Sequence, residues 1–307
     1  MSSNTVLYAA AVLIWGSTWF GIKFQLGIVD PAVSIAYRFT LAGVLLLVWL
    51  AVRRQPLIPA RAAWSNIALT GLFSFCLSYL CSYAATGLLT SGLVAVAGSA
   101  LSVMNVLNSR IFLGQPVKPR VLLGGSIGVF GVLLLFLPSI SLEGLGGASA
   151  LGLAIIMLGN YFASAGNMAV AKARKAEVPL LPATAWGMLA GAGLTALTAT
   201  MRGAEFTFDP SPAYVLSLLY LTLFGSLAAF LSYFTLLGRI GADRAGYVAV
   251  MVPIVALIIS TLFEGYQWTM LSVLGLGLAV GGNLLVMTPP GWRLPGRLAA
   301  AVKPGQP

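Results

Sequence analysis

The sequence predicts an all-α integral membrane protein: ten transmembrane helices as two inverted five-helix repeats around a central cavity. Three observations predict it. Hydrophobic residues make up 59% of the 307 and charged residues only 8%, with a mean hydropathy of +0.96, whereas soluble domains carry charge on about a quarter of their residues. Apolar stretches recur at the roughly 20-residue length that a helix needs to cross the hydrocarbon, separated by short polar or Gly/Pro-containing connections. Basic residues gather in alternate connections. Lipid offers the backbone no hydrogen-bond partners, so each stretch must be helical.

The first span, 5–25, sets Trp15, Trp19 and Lys23 on one helical face, with Tyr8 further down. The second, 31–52, opens on Pro31 and holds Arg38 inside it. The third, 64–86, lines up Phe75, Tyr79, Ser82, Tyr83 and Thr86. It also holds Cys76 and Cys81, five positions apart. That spacing shares no face, so the cysteines imply neither a bridge nor a metal site and read as packing residues. The fourth span, 90–112, carries Gly98, Ser99, Ser102, Asn105 and Ser109. The fifth, 121–137, contains Gly124-x-x-x-Gly128, and the sixth, 150–171, offers Asn160, Ser164 and Asn167. The seventh is 180–201, and the eighth, 212–237, carries Ser226, Phe230 and Tyr233. Pro253 sits near the centre of the ninth, 245–263; the tenth, 268–287, contains Gly277-x-x-x-Gly281. Both Gly-x-x-x-Gly pairs are expected to be close-packing faces.

The net charge of +10, from 17 basic and 7 acidic residues, follows from topology and not from a nucleic-acid partner. With both termini cytoplasmic, that side receives Arg53, Arg54, Arg61, Arg110, Lys118, Arg120, Lys172, Arg174, Lys175, Arg239, Arg244, Arg293, Arg297 and Lys303, as basic residues do in membrane proteins. Lys23 and Arg202 fall toward the opposite side, with Asp30, Glu143, Glu205, Asp209 and Glu264. The first apolar segment has no basic residue before Lys23 and is long enough to span, so it is expected to persist as a helix and not as a cleaved signal. The tail, 289–307, reads as a basic, flexible cytoplasmic end.

Internal similarity divides the rest into repeats at 1–145 and 146–288. An offset of 150 aligns Ser82-Tyr83 with Ser232-Tyr233, Gly125 with Gly275 and Gly131 with Gly281. An offset of 154 aligns Gly92 with Gly246 and Ala95-Val96 with Ala249-Val250. Five helices per copy is an odd number, so consecutive copies enter the membrane from opposite sides, and a substrate site is expected near the midplane between them.

The segment Ile14-Trp15-Gly16-Ser17-Thr18-Trp19-Phe20-Gly21-Ile22-Lys23 resembles the opening signature of the EamA family in the drug/metabolite transporter superfamily. Pro31 followed by Tyr37-Arg38-Phe39-Thr40-Leu41-Ala42 is similar to that family's Arg-Phe-x-x-Ala segment, and Phe112-Leu113-Gly114-Gln115-Pro116 to a third motif, although the family usually has Glu at the place of Gln115. Glu264 is the nearest acidic counterpart in the second half. The resemblance spans about 5–288 and implies cytoplasmic termini, a bacterial-type inner membrane and metabolite export. Among members, the chain looks most like the YddG-type exporters of aromatic amino acids.

The residues themselves suggest a compatible chemistry. Taken singly, each polar position in a span is better explained by interhelical hydrogen bonding. Taken together, aromatic and amide positions concentrate in helices one, three, four, six and eight, which are also cavity helices in the resembled family. We therefore assign Trp15, Trp19, Tyr79, Ser82, Tyr83, Ser99, Asn160, Ser164 and Tyr233 to a substrate cavity. Aromatic walls with hydroxyl and amide groups suit a neutral amino acid better than a polyanion, which would need several central Lys or Arg. Lys23 is open between snorkelling and a gate or carboxylate contact, and Arg38 between a carbonyl anchor and a functional charge. Gly98 and Pro253 are the expected bending points, although a Pro kink can also be static.

The expected activity is a secondary transporter exporting small neutral metabolites, aromatic and other amino acids foremost, by alternating access. The alternatives are an exporter of drugs or other amphipathic metabolites, or a channel-like pore. The chain has no His, no acidic residue near a span centre and no phosphate-binding Gly-x-x-x-x-Gly-Lys-Ser/Thr loop. Facilitated diffusion or exchange is expected over proton coupling. Enzymatic chemistry, a cofactor and a catalytic metal are not expected. The partners would be a small-molecule substrate and the lipid bilayer, in a monomer or weak homo-oligomer.

Overall fold

In the computed structural model, ten helices follow one another through residues 3–117, 119–143, 147–240 and 247–287, the residues the structure describes. Lys118, Arg244, Gly246 and the tail with Arg293, Arg297 and Lys303 lie outside them, as do the side chains of Glu143, Arg174 and Lys175. The first five helices are α1 (Ser3–Lys23), α2 (Pro31–Val52), α3 (Arg61–Leu88), α4 (Ser91–Leu113) and α5 (Pro119–Glu143). Then come α6 (Ala148–Lys175), α7 (Leu180–Met201), α8 (212–240), α9 (Tyr247–Phe263) and α10 (Met270–Met287). Nine contain stretches long and apolar enough to cross a membrane among the described residues, and the shorter α9 is apolar throughout. There is no strand among the described residues.

Two helix pairs demonstrate the inversion. Along α5, Gly124 packs on Gly282 and Val286, whereas Gly131 packs on Gly275 and Ala279. Rising numbers on α5 therefore meet falling numbers on α10, so the two run antiparallel. Likewise Ala32 and Val33 of α2 cluster with Ala199 of α7, while Leu46 and Leu50 cluster with Ala185. Equivalent helices of the two repeats thus point in opposite directions, as five-helix copies require. Lipid removes the hydrophobic drive between helices, so close backbone approach at small residues holds these pairs.

That interface corrects two expectations. Gly277 and Gly281 have open space around them, and the packing face of α10 is instead Gly275, Ala279 and Gly282, because residues two apart lie on nearly opposite sides of a helix. Gly124, Gly128 and Gly131 occupy the places on α5 that Gly275, Ala279 and Gly282 occupy on α10. The register there is 151 and not 150, so Gly125 does not match Gly275, nor Gly131 Gly281. Gly125 faces Val103 of α4 instead.

Two helices carry a π-helical stretch at matching places: Gly71–Leu77 within α3 and Leu221–Ala228 within α8. Each inserts an extra residue into the ladder, a distortion that frequently marks functional sites. The α3 stretch packs on Gly187 and Gly191 of α7; that of α8 packs on α1 and α2. Helix α5 continues past the expected end at 137, through Pro138, to Glu143. A proline removes one ladder bond, which membrane helices tolerate near their ends. Elsewhere the ends are conventional: Asp30 accepts from the Ala32 N–H to cap α2 at 2.8 Å, with Pro31 at the first turn. Gly114 takes a left-handed φ of 67° to close α4.

Arg53, Arg54, Arg61, Arg110, Arg120, Lys172 and Arg239 share one end of the bundle. Lys23, Asp30, Arg202, Glu205, Asp209 and Glu264 share the other, where Arg202 and Asp30 approach to 4.0 Å. These are called the basic and the acidic end below.

Candidate functional site

One side chain joins several elements at the acidic end. Glu264, in the turn after α9, accepts from the Ser91 N–H through both oxygens, at 3.1 and 2.9 Å, and from the Ser91 hydroxyl. It thereby caps the start of α4, where unsatisfied N–H groups and the helix dipole favour an anion. Lys23, at the end of α1, donates to the Leu89 carbonyl at 2.7 Å and lies 3.5 Å from Glu264. Three helix ends therefore meet at a pair whose side chains are 30% and 10% exposed. Tyr266 packs beneath them against the α3, α4 and α6 core. Burial pushes its phenol above the usual value, against a hydrogen bond with Ser272, so it stays a neutral hydroxyl.

Helix α4 changes neighbours at its middle. Its first half, Ser91–Gly98, packs mainly on α9 and equally on α1 and α6, while Leu101–Leu113 packs mainly on α6. Between them the helix breaks at Ser99 and Ala100, where tightened bonds such as Ser99 N–H to Val96 O (3.0 Å) replace the regular ladder. Asn160 of α6 donates to the Ala97 carbonyl at 2.8 Å, and the Ser99 hydroxyl to that of Val96 at 2.6 Å. Both satisfy acceptors at the break. The Trp19 ring faces Gly98, where an added Cβ would sit 3.6 Å from it. Helix α9 continues unbroken across Pro253.

Further along α1 from Lys23, Trp15 meets Phe230 edge-on at 5.5 Å and Tyr233 at 5.2 Å. This brings α1 and α8 together around three rings, all half-buried. Tyr79 of α3 meets Phe39 of α2 edge-on at 4.6 Å. Ser164 is buried and accepts from Asn108 at 3.0 Å, so it joins α4 to α6, as does Asn167 through Asn105 at 3.1 Å. Ser82 is buried and donates to the Ser78 carbonyl of its own helix at 2.9 Å. Asn160 and Ser164 are therefore engaged in helix packing and Ser82 in its own helix in this conformation, whereas Trp15, Trp19, Tyr79, Ser99 and Tyr233 are only half-buried.

Arg38 is 1% exposed, about 10 Å along α2 from its start at the acidic end. Its Nε donates to the Ser226 hydroxyl at 3.1 Å, and that hydroxyl donates to the Leu221 carbonyl of the π stretch at 3.0 Å. The guanidinium lies 5.2 Å from the Phe39 ring centre and 5.0 Å from that of Tyr79. Tyr83, fully buried, sets its hydroxyl beside the same group. The hydroxyl does not meet hydrogen-bond geometry, and neither it nor Nη1 of Arg38 has a hydrogen-bond partner.

Some contacts escaped the sequence reading. Ser17 of α1 and Tyr220 of α8 hydrogen-bond at 2.6 Å, and Ser102 of α4 bonds Asn283 of α10. Gln25 is buried against Ser217 at 2.5 Å. A groove of about 440 Å³ between α4 and α5 is lined by Val103, Leu107, Leu122, Phe130 and Leu133. It is apolar and opens outward, away from the polar and aromatic residues just described. The described residues contain no group of His, Cys, Asp or Glu able to hold a metal ion.

Comparison with known proteins gives a consistent result. The profile of the EamA-like transporter family matches residues 4–137 and 150–288. The inner membrane transporter YedA of Escherichia coli (strain K12) is 28% identical over 279 residues, 90% of this chain and 88% of its own length. The transporter YvbV of Bacillus subtilis is 24% identical over 285 residues, 93% of this chain and 92% of its own. One solved structure superposes with a TM-score of 0.65 at 21% identity, covering 93% of this chain and 98% of that one. At that identity it speaks to the fold alone.

Proposed function

The chain belongs to the EamA-like transporter family and is a multi-pass membrane transporter of small molecules, and from that premise we propose that it exports small neutral metabolites, aromatic and other amino acids foremost, by alternating access. The observation that carries this reading is the half-buried ring cluster of Trp15, Phe230 and Tyr233, about one helical turn along α1 from Trp19, which faces Gly98. Ring faces and edges provide apolar area for a planar side chain. Hydroxyls and amides such as Ser99 and Asn105 can hold polar atoms without a buried acid.

The contacts of Glu264 with Ser91 and Lys23 support reading the acidic end as the closed side of the path. On the other side of the Ser99 break, α4 leaves α1 and α9. Opening and closing by pivoting at Gly98–Ala100, with Pro253 as the second weak point, is the motion proposed. The absence of a central carboxylate or histidine favours facilitated diffusion or exchange.

Counterflow in liposomes tests the reading. Purified protein is expected to exchange tryptophan or phenylalanine saturably, and Trp15→Ala or Tyr79→Ala to reduce that exchange about tenfold, matching roughly 1–2 kcal/mol of lost ring contact. Saturable flux at wild-type levels in both variants would remove these rings from the path. A pore would conduct ions without saturation.

The basic end is assigned to the cytoplasm. A cysteine replacing Arg53 should react with an impermeant maleimide only from inside, and one replacing Arg202 only from outside. Labelling of both from one side would reject the proposed topology.

A further inference from the structure

We propose that Arg38 and Tyr83 form an anion-recognition site that captures the carboxylate of the transported solute, an inference that rests on the transport reading above and adds to it the required charge of the substrate. A guanidinium keeps its charge in proteins, and isolating it from water inside a membrane protein is costly unless it is paired. Neither ion pair found among the described residues involves Arg38. Its compensation is incomplete: Nε has Ser226, and the flat face has the rings of Phe39 and Tyr79. Nη1 and the Tyr83 hydroxyl are buried side by side, near enough to interact but outside hydrogen-bond geometry, so each can still donate to an acceptor placed between them. Two adjacent donors, one of them charged, match the two oxygens of a carboxylate, and the ring walls suit an aromatic body attached to it.

The opposite repeat shows that the fold does not need this charge. On α7, the turn equivalent to Arg38 carries Met188 and Leu189. At the crossing of α8 with α2, Gly225 leaves room for the guanidinium, 3.4 Å from where a Cβ would stand. At the matching crossing of α3 with α7, the position of Gly225 is taken by Phe75, whose ring packs against Gly187 and whose Cβ packs against Gly191. One crossing is filled with hydrocarbon and the other with an incompletely paired cation. Packing explains the first arrangement; a ligand anion explains the second.

The test uses the purified full-length protein in detergent with four matched probes: L-phenylalanine, phenylacetate, phenylalanine amide and phenethylamine. Phenylalanine and phenylacetate should raise the wild-type melting temperature, and the two compounds without a carboxylate should not. Arg38→Met copies the opposite repeat and should fold, with apparent affinity for phenylacetate weakened by about tenfold or more. Tyr83→Phe keeps the ring, removes one donor and should weaken it about fivefold. This variant decides the matter if Arg38→Met does not fold.

The proposal is overturned if wild type responds equally to the amide, if no carboxylate probe has an effect, or if phenylacetate binds a folded variant with unchanged affinity. Counterflow separates the two readings. Phenylacetate binding that depends on Arg38, without amino acid counterflow, would sink the transport assignment alone. Phenylalanine counterflow that survives in Arg38→Met would sink the anion site alone.

Discussion

Gly282→Leu is expected to abolish recovery of a monodisperse, cooperatively melting protein, whereas Gly281→Leu, one position away, should leave melting unchanged. The contrast comes from the antiparallel contact of α5 with α10. A Cβ at 282 would stand 2.7 Å from the Gly128 Cα and closer still to the Gly124 carbonyl and the Gly128 N–H. Backbone atoms cannot rotate away as a side-chain tip can, so the helices must separate along their length. Overpacking a core commonly costs about 1–3 kcal/mol; displacing a backbone contact shared by Gly124, Gly128, Gly131 and Gly275 should exceed the upper figure. A Cβ at 281 meets nothing within 4 Å, and exposed substitutions of this kind stay within about 0.5 kcal/mol. Size-exclusion profiles and melting curves of the two variants in one detergent decide it. Equal behaviour would mean that the α5 and α10 backbones do not touch as described.

Glu264→Ala is expected to release the acidic end. The carboxylate serves three elements at once: it caps α4 at Ser91, balances Lys23 and pins the turn after α9. Removing it leaves the Ser91 N–H without its acceptor and Lys23 with only the Leu89 carbonyl. An orphaned buried donor costs about 1–3 kcal/mol; the partial exposure of Lys23 limits what the ion pair adds. A shift of that size changes a closed-to-open ratio by roughly fivefold to 150-fold. Spin labels at 28 and 267, with Cys76 and Cys81 replaced by Ala, should show one short distance in the wild type and a longer population in the variant. An unchanged distance distribution would deny Glu264 a part in holding this end closed.

Span count and alternating orientation were legible because hydrocarbon imposes a length on every helix and because basic residues sort by side. The finer geometry depends on contacts with no local signature. Glycine is so common here, with 35 in the chain, that spacing alone could not separate Gly275 and Gly282, which touch α5, from Gly277 and Gly281, which do not. The π stretches at Gly71–Leu77 and Leu221–Ala228 leave no mark in the hydrophobic pattern, since one extra residue per turn still gives an apolar helix. Polar residues in spans were visible, but their use was not. Asn160 and Ser164 turn out to secure α6 to the broken α4, and Ser17 finds Tyr220 across 203 positions of chain. Arg38 was evident as an intramembrane charge; only the structure shows that it has rings and a hydroxyl around it and no acid.

Two halves of identical composition would leave the inward- and outward-facing forms equal in free energy. Arg38 opposite Gly225, against Phe75 on Gly191, breaks that equality. A gap of about 1.4 kcal/mol is enough to rest nine-tenths of the empty molecules in one form. Microscopic reversibility keeps such a bias from accumulating solute. Under the uncoupled alternating access proposed above, the bias would make the half-saturation concentrations differ between the two faces, with maximal velocities differing in proportion, so a carrier of that kind would equilibrate its cargo while responding unequally to supply from either side.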